Sequence, residues 1–108
     1  MKQELKDRWI KALESGDYKK GRGALCRRND AMCCLGVLAD IEGKLSDKSD
    51  SVGNRYFLLG EADNTAYLPD GQFGISYDLQ IQLASLNDTS KTFAPVIEYI
   101  KENVEVTS

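Results

Sequence analysis

The sequence of 108 residues contains no histidine. That absence removes the side chain that most often acts as a general base near neutral pH. It also removes every Ser-His or Cys-His nucleophile pair and every zinc site that uses imidazole. Long apolar runs are missing too, so no segment approaches the ~20 residues that a membrane-crossing helix needs. The three cysteines are an odd count and cannot form a closed disulfide framework. The opening MKQELKDRW is charged and amphipathic, unlike an export signal. Reduced thiols, a cytoplasmic location and no membrane partner are therefore expected.

Length and composition point to one domain over residues 1–108, with enough chain for a core that needs no metal or disulfide staple. Charge is distributed unevenly. Residues 1–28 hold nine Lys or Arg against four Asp or Glu, a net +5, whereas residues 29–108 hold five against thirteen, a net −8. A basic patch on an acidic body suits a compact anionic ligand and disfavours extended nucleic acid, which the acidic remainder would repel.

Hydrophobic spacing predicts four helices. Leu5, Trp9, Ala12 and Leu13 mark an amphipathic helix over 2–15, with Gly16 as its stop. Cys34, Val37, Leu38 and Ile41 mark a second that Gly43 ends. Ser76 is a candidate N-cap for a third carrying Leu79, Leu83 and Leu86, which Asn87-Asp88 should close. Thr92 should start the last, with Phe93, Val96, Ile97, Ile100 and Val104 on one stripe and Pro95 tolerated in the first turn. Trp9, Leu13, Leu38, Leu83, Phe93, Ile97 and Ile100 are expected to share one core. A short strand is expected over Ala24–Arg28, with Asn29-Asp30 as its turn. RYFLLG and TAYLP, joined by EADN, read as a β-hairpin that Pro69 terminates, and the polar stretch 44–54 reads as the most mobile loop. The expected class is α+β: about four helices packed on a small antiparallel sheet.

The stretch KKGRGALCRRNDAMCCLG, residues 19–36, gathers five basic residues, three glycines and all three cysteines. A metal site fits it poorly, because the spacing C-x6-CC rarely lets both adjacent thiols reach one tetrahedral ion. A reactive thiol at Cys33 or Cys34 would gain from a helix N-terminus and from Arg27 and Arg28, yet no base or oxyanion hole accompanies it. Burial as small core hydrophobes is the plainer account of these cysteines. An anion site is the third reading: glycines allow close backbone approach, and arginine forks match phosphate oxygens. Neither GxxxxGK[ST] nor GxGxxG occurs, and a solvated charged loop is the competing account. Alternation along a strand would point Arg27 and Arg28 to opposite sides unless the strand ends there. Tyr18, Lys20, Arg22, Arg27 and Arg28 are the candidate ligand-binding residues, the four cations for phosphate and Tyr18 for stacking. The carboxylates Glu61, Asp63, Asp70, Asp78 and Asp88 are scattered through turns and caps with no acid–base pair. No catalytic residue, metal or cofactor is assigned.

The segments WIKALESGDYKKGRGAL, CCLGVLAD and LASLNDTSKTFAPVIEYI, together spanning Trp9–Asp40 and Leu83–Ile100, resemble a group of small uncharacterised proteins of tailed phages and prophages. The resemblance implies action in the cytoplasm of a bacterial host. By analogy with other small phage accessory proteins it implies an anti-defence sponge: a non-enzymatic homodimer or higher homo-oligomer that sequesters a nucleotide or ADP-ribose-derived immune signal without cleaving it. An acidic inhibitor that binds a basic surface on a host protein is the alternative, and a thiol enzyme is the third.

Overall fold

The computed structural model describes residues 1–58 and 64–107. Helix α1, Gln3–Glu14, turns Trp9 and Leu13 inward. It stops where Gly16 takes the left-handed conformation (φ 80°), which glycine reaches without a Cβ penalty. The Trp9 indole N–H is satisfied inside the core by the Cys34 carbonyl at 2.9 Å. Helix α2, Cys34–Ile41, is apolar apart from Asp40, and residues Cys34 through Ala39 are all buried. A helix without a polar face must be covered on every side. It packs against α1, against α3 (Tyr77–Thr89) and against the first strand, while α4 (Ala94–Asn103) closes the bundle against α1 and α3. Gly36 permits a close approach to the loop that precedes α2, because a Cβ there would overlap the Leu25 carbonyl. Trp9, Leu13, Leu38, Leu83, Phe93, Ile97 and Ile100 do share one core, and no helix among the described residues is long and apolar enough to cross a membrane.

The sheet is antiparallel and two-stranded, so the α+β class holds; one strand falls within the expected RYFLLG segment, but its partner is not TAYLP. Strand β1, Leu45–Ser49, pairs with β2, Arg55–Phe57. Residues 44–54, expected to be a mobile loop, therefore supply one strand and the turn. Asp50 builds that turn: its Oδ1 accepts from the backbone N–H groups of Val52 (3.0 Å) and Asn54 (2.9 Å), and Gly53 adopts φ 89°. The stretch 65–69 is not a strand. Its backbone is held by a side chain instead, with the buried Gln80 amide accepting from Leu68 N–H and donating to the Leu68 and Pro69 carbonyls. Residues 59–63 of the expected hairpin and its turn, with Glu61 and Asp63, lie outside the described residues. Ala24–Arg28 is not a strand either. Only Cys26 makes ladder-type pairings, with Met32 on one side and Arg55 on the other.

The Ser76 hydroxyl caps α3 by accepting from Leu79 N–H at 3.2 Å, as its position predicts. The helix runs past Asn87-Asp88 to Thr89, so these two residues are not its stop. Asn87 is fully buried at the centre of the fold. Helix α4 begins at Ala94 rather than Thr92, and Pro95 occupies its first turn, where no backbone hydrogen bond is lost.

Candidate functional site

The basic loop is tied to the chain that follows it. Gly21 N–H donates to the Met32 carbonyl at 2.7 Å, and Met32 N–H donates back to Lys19 at 2.8 Å. Arg27 N–H donates to Ala31 at 2.8 Å, closing the tight turn at Asn29-Asp30, where Asp30 takes φ 64°. Gly21 is needed for this packing, since a Cβ there would stand 2.7 Å from the Ala31 carbonyl oxygen. Gly23 N–H is used as well: it donates to Asp88 Oδ1 at 3.3 Å. Both glycine N–H groups expected to face an anion are thus spent on the protein itself.

Asn87 and Asp88 are the anchors of this arrangement, and sequence reasoning took them for a helix terminus. The Asn87 carboxamide accepts from Cys34 N–H (3.2 Å) at the start of α2 and donates to the Gly21 carbonyl (2.9 Å) and to Asp88 (3.2 Å). One side chain therefore ties α3, the first turn of α2 and the basic loop together.

The five candidate residues separate into three groups. Tyr18 donates its hydroxyl to Asp40 at 2.7 Å, and burial together with that bond pushes its pKa up to about 12. That bond ties it to α2, and Tyr18 is not among the residues that line a cleft with Arg27 and Arg28. Lys20 is half-buried between Asp88 and Arg22. Burial first, then the Arg22 charge, lowers its pKa. Arg22 is exposed, and its contribution to the loop is its backbone carbonyl, which accepts from Arg27 Nη1 at 2.9 Å.

Arg27 and Arg28 are brought together. They line a cleft of about 490 Å³ whose other walls are Asn29, Val52 and Asn54. Strict alternation would have separated the two guanidiniums, but ladder-type pairing ends at Cys26 and the chain then turns. The far wall is placed by close contact, since a Cβ on Gly53 would stand 2.9 Å from Arg28 Cβ and Cγ. The hairpin turn therefore rests on the alkyl stem of Arg28. The ion pairs among the described residues use Arg8, Arg55 and Lys101, and none involves Arg22, Arg27 or Arg28. A second hollow, of about 460 Å³, lies between Met1, Leu5, Arg8, Glu42 and Phe73. Charges of both signs line it, Lys2 and Arg8 against Glu4 and Glu42, and Arg8 pairs with Glu42 at 2.9 Å.

The thiols have no nucleophile's setting. Cys26, Cys33 and Cys34 are all buried. Burial pushes Cys33 up to about 11 and raises Cys34 well above its ordinary value, against the opposing pull of the α2 backbone N–H groups. Cys26 is raised as well, because burial outweighs the nearby Arg55 guanidinium. A thiolate is scarce at neutral pH under these conditions.

A family profile described as a domain of unknown function, DUF8296, matches residues 1–104. The chain belongs to that family. No curated protein and no solved structure matches it. The family assignment brings no reaction or ligand with it, and the cleft at Arg27 and Arg28 is the feature from which a function can be argued.

Proposed function

We propose that the protein binds, without chemical change, a small phosphorylated ligand in the cleft between the basic loop and the β1–β2 turn. One observation carries the reading: Arg27 and Arg28, adjacent in sequence, converge on one concave surface with no carboxylate among its lining residues. Guanidinium forks match phosphate oxygens in pairs. Arg27 is also pre-organised, because the Arg22 carbonyl fixes one end of its fork. No general base, activated nucleophile or acid–base pair of carboxylates faces the cleft, so retention of the ligand is the role assigned and turnover is not. Sequestration of a nucleotide-sized signal, the activity implied by the phage resemblance, is the biological use this supports, and a homodimer is the assembly that goes with it.

Titration calorimetry with inorganic phosphate, pyrophosphate and ADP-ribose tests the proposal. Arg27→Ala and Arg28→Ala should each weaken binding by ~1.5–3 kcal/mol, the usual size of a hydrogen bond to a charged group. Arg22→Ala should change little, since its carbonyl survives the substitution. Unchanged binding in both cleft variants would refute the site. Light scattering of the same samples reads the assembly.

A second reading has its own observation. Tyr77 (41 % exposed) and Ile81 (39 %) lie one turn apart on the outer face of α3, beside Asp78. An apolar spot in an acidic setting suits a basic protein surface. Host proteins retained by the parent and by Arg28→Ala, but lost with Tyr77→Ser, would favour it over the anion cleft.

A further inference from the structure

We infer that the cleft takes a nucleoside phosphate and reads its two ends, phosphate and base, while leaving the sugar unread. This rests on the phosphate-binding role proposed for Arg27 and Arg28 and goes beyond it by assigning the opposite wall. The cleft of about 490 Å³ is far larger than a lone phosphate requires. At ~30 Å³ per water such a space holds on the order of fifteen waters, of which a phosphate would displace only a few. It falls within the ~300–1,000 Å³ typical of small-molecule sites.

The wall facing the arginines is uncharged. Val52 is 66 % exposed and offers an aliphatic surface against which a flat ring can lie. Asn54 uses its backbone N–H and carbonyl to close the turn with Asp50, and its carboxamide makes no hydrogen bond among the described residues. A carboxamide presents a donor and an acceptor side by side, the complement of a base edge that offers an acceptor beside an N–H. Asn29 adds one amino group, its carbonyl being held by Ala31 N–H at 3.2 Å.

Ribose hydroxyls are commonly read by a carboxylate. No carboxylate is among the residues lining this cleft. Asp30, next to Asn29 in sequence, is not among them either, and Asp50 commits Oδ1 to Val52 N–H and Asn54 N–H within the turn. The site therefore has partners for the two ends of a nucleotide and none for its middle.

The test is calorimetry of the full chain with orthophosphate, ribose 5-phosphate, the four common nucleoside 5′-monophosphates, and the 2′-deoxy form of the tightest. At least one nucleotide should bind about tenfold more tightly than ribose 5-phosphate, the discrimination expected of one good amide–base pair. Its deoxy form should bind within about threefold of it. Asn54→Ala should erase the advantage of the base, leave the affinity for ribose 5-phosphate unchanged, and melt at the parent temperature, since its carboxamide makes no hydrogen bond among the described residues. Loss of more than about tenfold on removing the 2′-hydroxyl would overturn the unread sugar. A base advantage that survives Asn54→Ala would overturn the assigned wall. If orthophosphate and ribose 5-phosphate bind through Arg28 and no base adds affinity, this inference falls and the phosphate site stands. If no phosphorylated probe binds, both fall.

Discussion

Truncating Asn87 to alanine tests the keystone of the arrangement. Its side chain is 0 % exposed and serves three partners: Cys34 N–H at 3.2 Å, the Gly21 carbonyl at 2.9 Å and Asp88 Oδ1 at 3.2 Å. Asp88 keeps another donor in Gly23 N–H, so its loss is partial. Cys34 N–H and the Gly21 carbonyl are different, because Cys34 and Gly21 are buried and water does not readily replace the amide. Each orphaned group costs ~1–3 kcal/mol, so the variant should lose ~2–6 kcal/mol of a total stability on the order of 5–15 kcal/mol. At ~4–8 °C per kcal/mol for a domain near this size, the melting temperature should fall by at least about 8 °C. Urea unfolding followed by Trp9 fluorescence is the direct assay. Trp9 is the only tryptophan, and its indole donates to the carbonyl of Cys34, the residue whose N–H Asn87 holds. The slope of the transition should be unchanged, which separates a loss of stability from a change in compactness. Asn87→Asp is the control: it keeps an acceptor for Cys34, removes the donor to Gly21, and sets a second carboxylate beside Asp88. Its deficit should shrink as pH falls and that pair gains a proton. A loss below ~0.5 kcal/mol in Asn87→Ala would show that the network is incidental and that apolar packing alone places the basic loop.

Other expectations follow from the same contacts. Gly36→Ala should destabilise by at least ~1–3 kcal/mol, the usual cost of overpacking, because its Cβ would overlap the Leu25 carbonyl; a neutral melting curve would place α2 wrongly. Leu38→Ala should cost ~2–5 kcal/mol in urea unfolding, since Leu38 is fully buried. The thiols should react with Ellman's reagent slowly in the native state and fully in denaturant, and melting should be the same with and without dithiothreitol; a fast native thiol would revive the nucleophile reading. Stability should fall at alkaline pH. Cys33 rises from 9.0 to about 11 on folding and Tyr18 from 10.0 to about 12, so the unfolded chain gives up these protons first. Their stabilisation is complete below pH 9 and is lost between pH 9 and 12. Tyr18→Phe should flatten the upper part of that fall, from pH 10 to 12, in a melting-temperature profile.

The helices were legible because each carries its own signal. The stripe of Trp9 and Leu13, the run of apolar residues after Cys33, and the Ser76 cap are local patterns that tertiary packing reinforced. The hairpin was misplaced because its deciding signal was weak in hydrophobicity. Leu45–Ser49 buries only its first two residues, so the strand scarcely differs from a loop in composition. The legible clue was turn chemistry, with Asp50, Gly53 and Asn54 between Leu45 and the RYF segment. Favouring RYFLLG and TAYLP on β-propensity gave Arg55–Phe57 the wrong partner.

The cleft proposed as the binding site was half legible for the same reason. Arg27 and Arg28 lie in a cluster that composition alone picks out, but Val52 and Asn54 face them only once the hairpin is drawn between 45 and 57. Asn87 was illegible in a stricter sense, since nothing local distinguishes a buried asparagine from one that ends a helix. Its role follows from Gly21 and Cys34, 66 and 53 residues away in sequence. The density of residues 19–36 thus reflects two separate demands. Gly21 and Gly36 are there because backbone must meet backbone, at Ala31 and at Leu25, and the cysteines because they fill the core, Cys34 in the first turn of α2 and Cys26 and Cys33 ahead of it. Neither demand calls for positive charge. Only Arg27 and Arg28 are left facing a space that the fold builds and does not fill, so a ligand is better sought at those two residues than in the glycine loop before them.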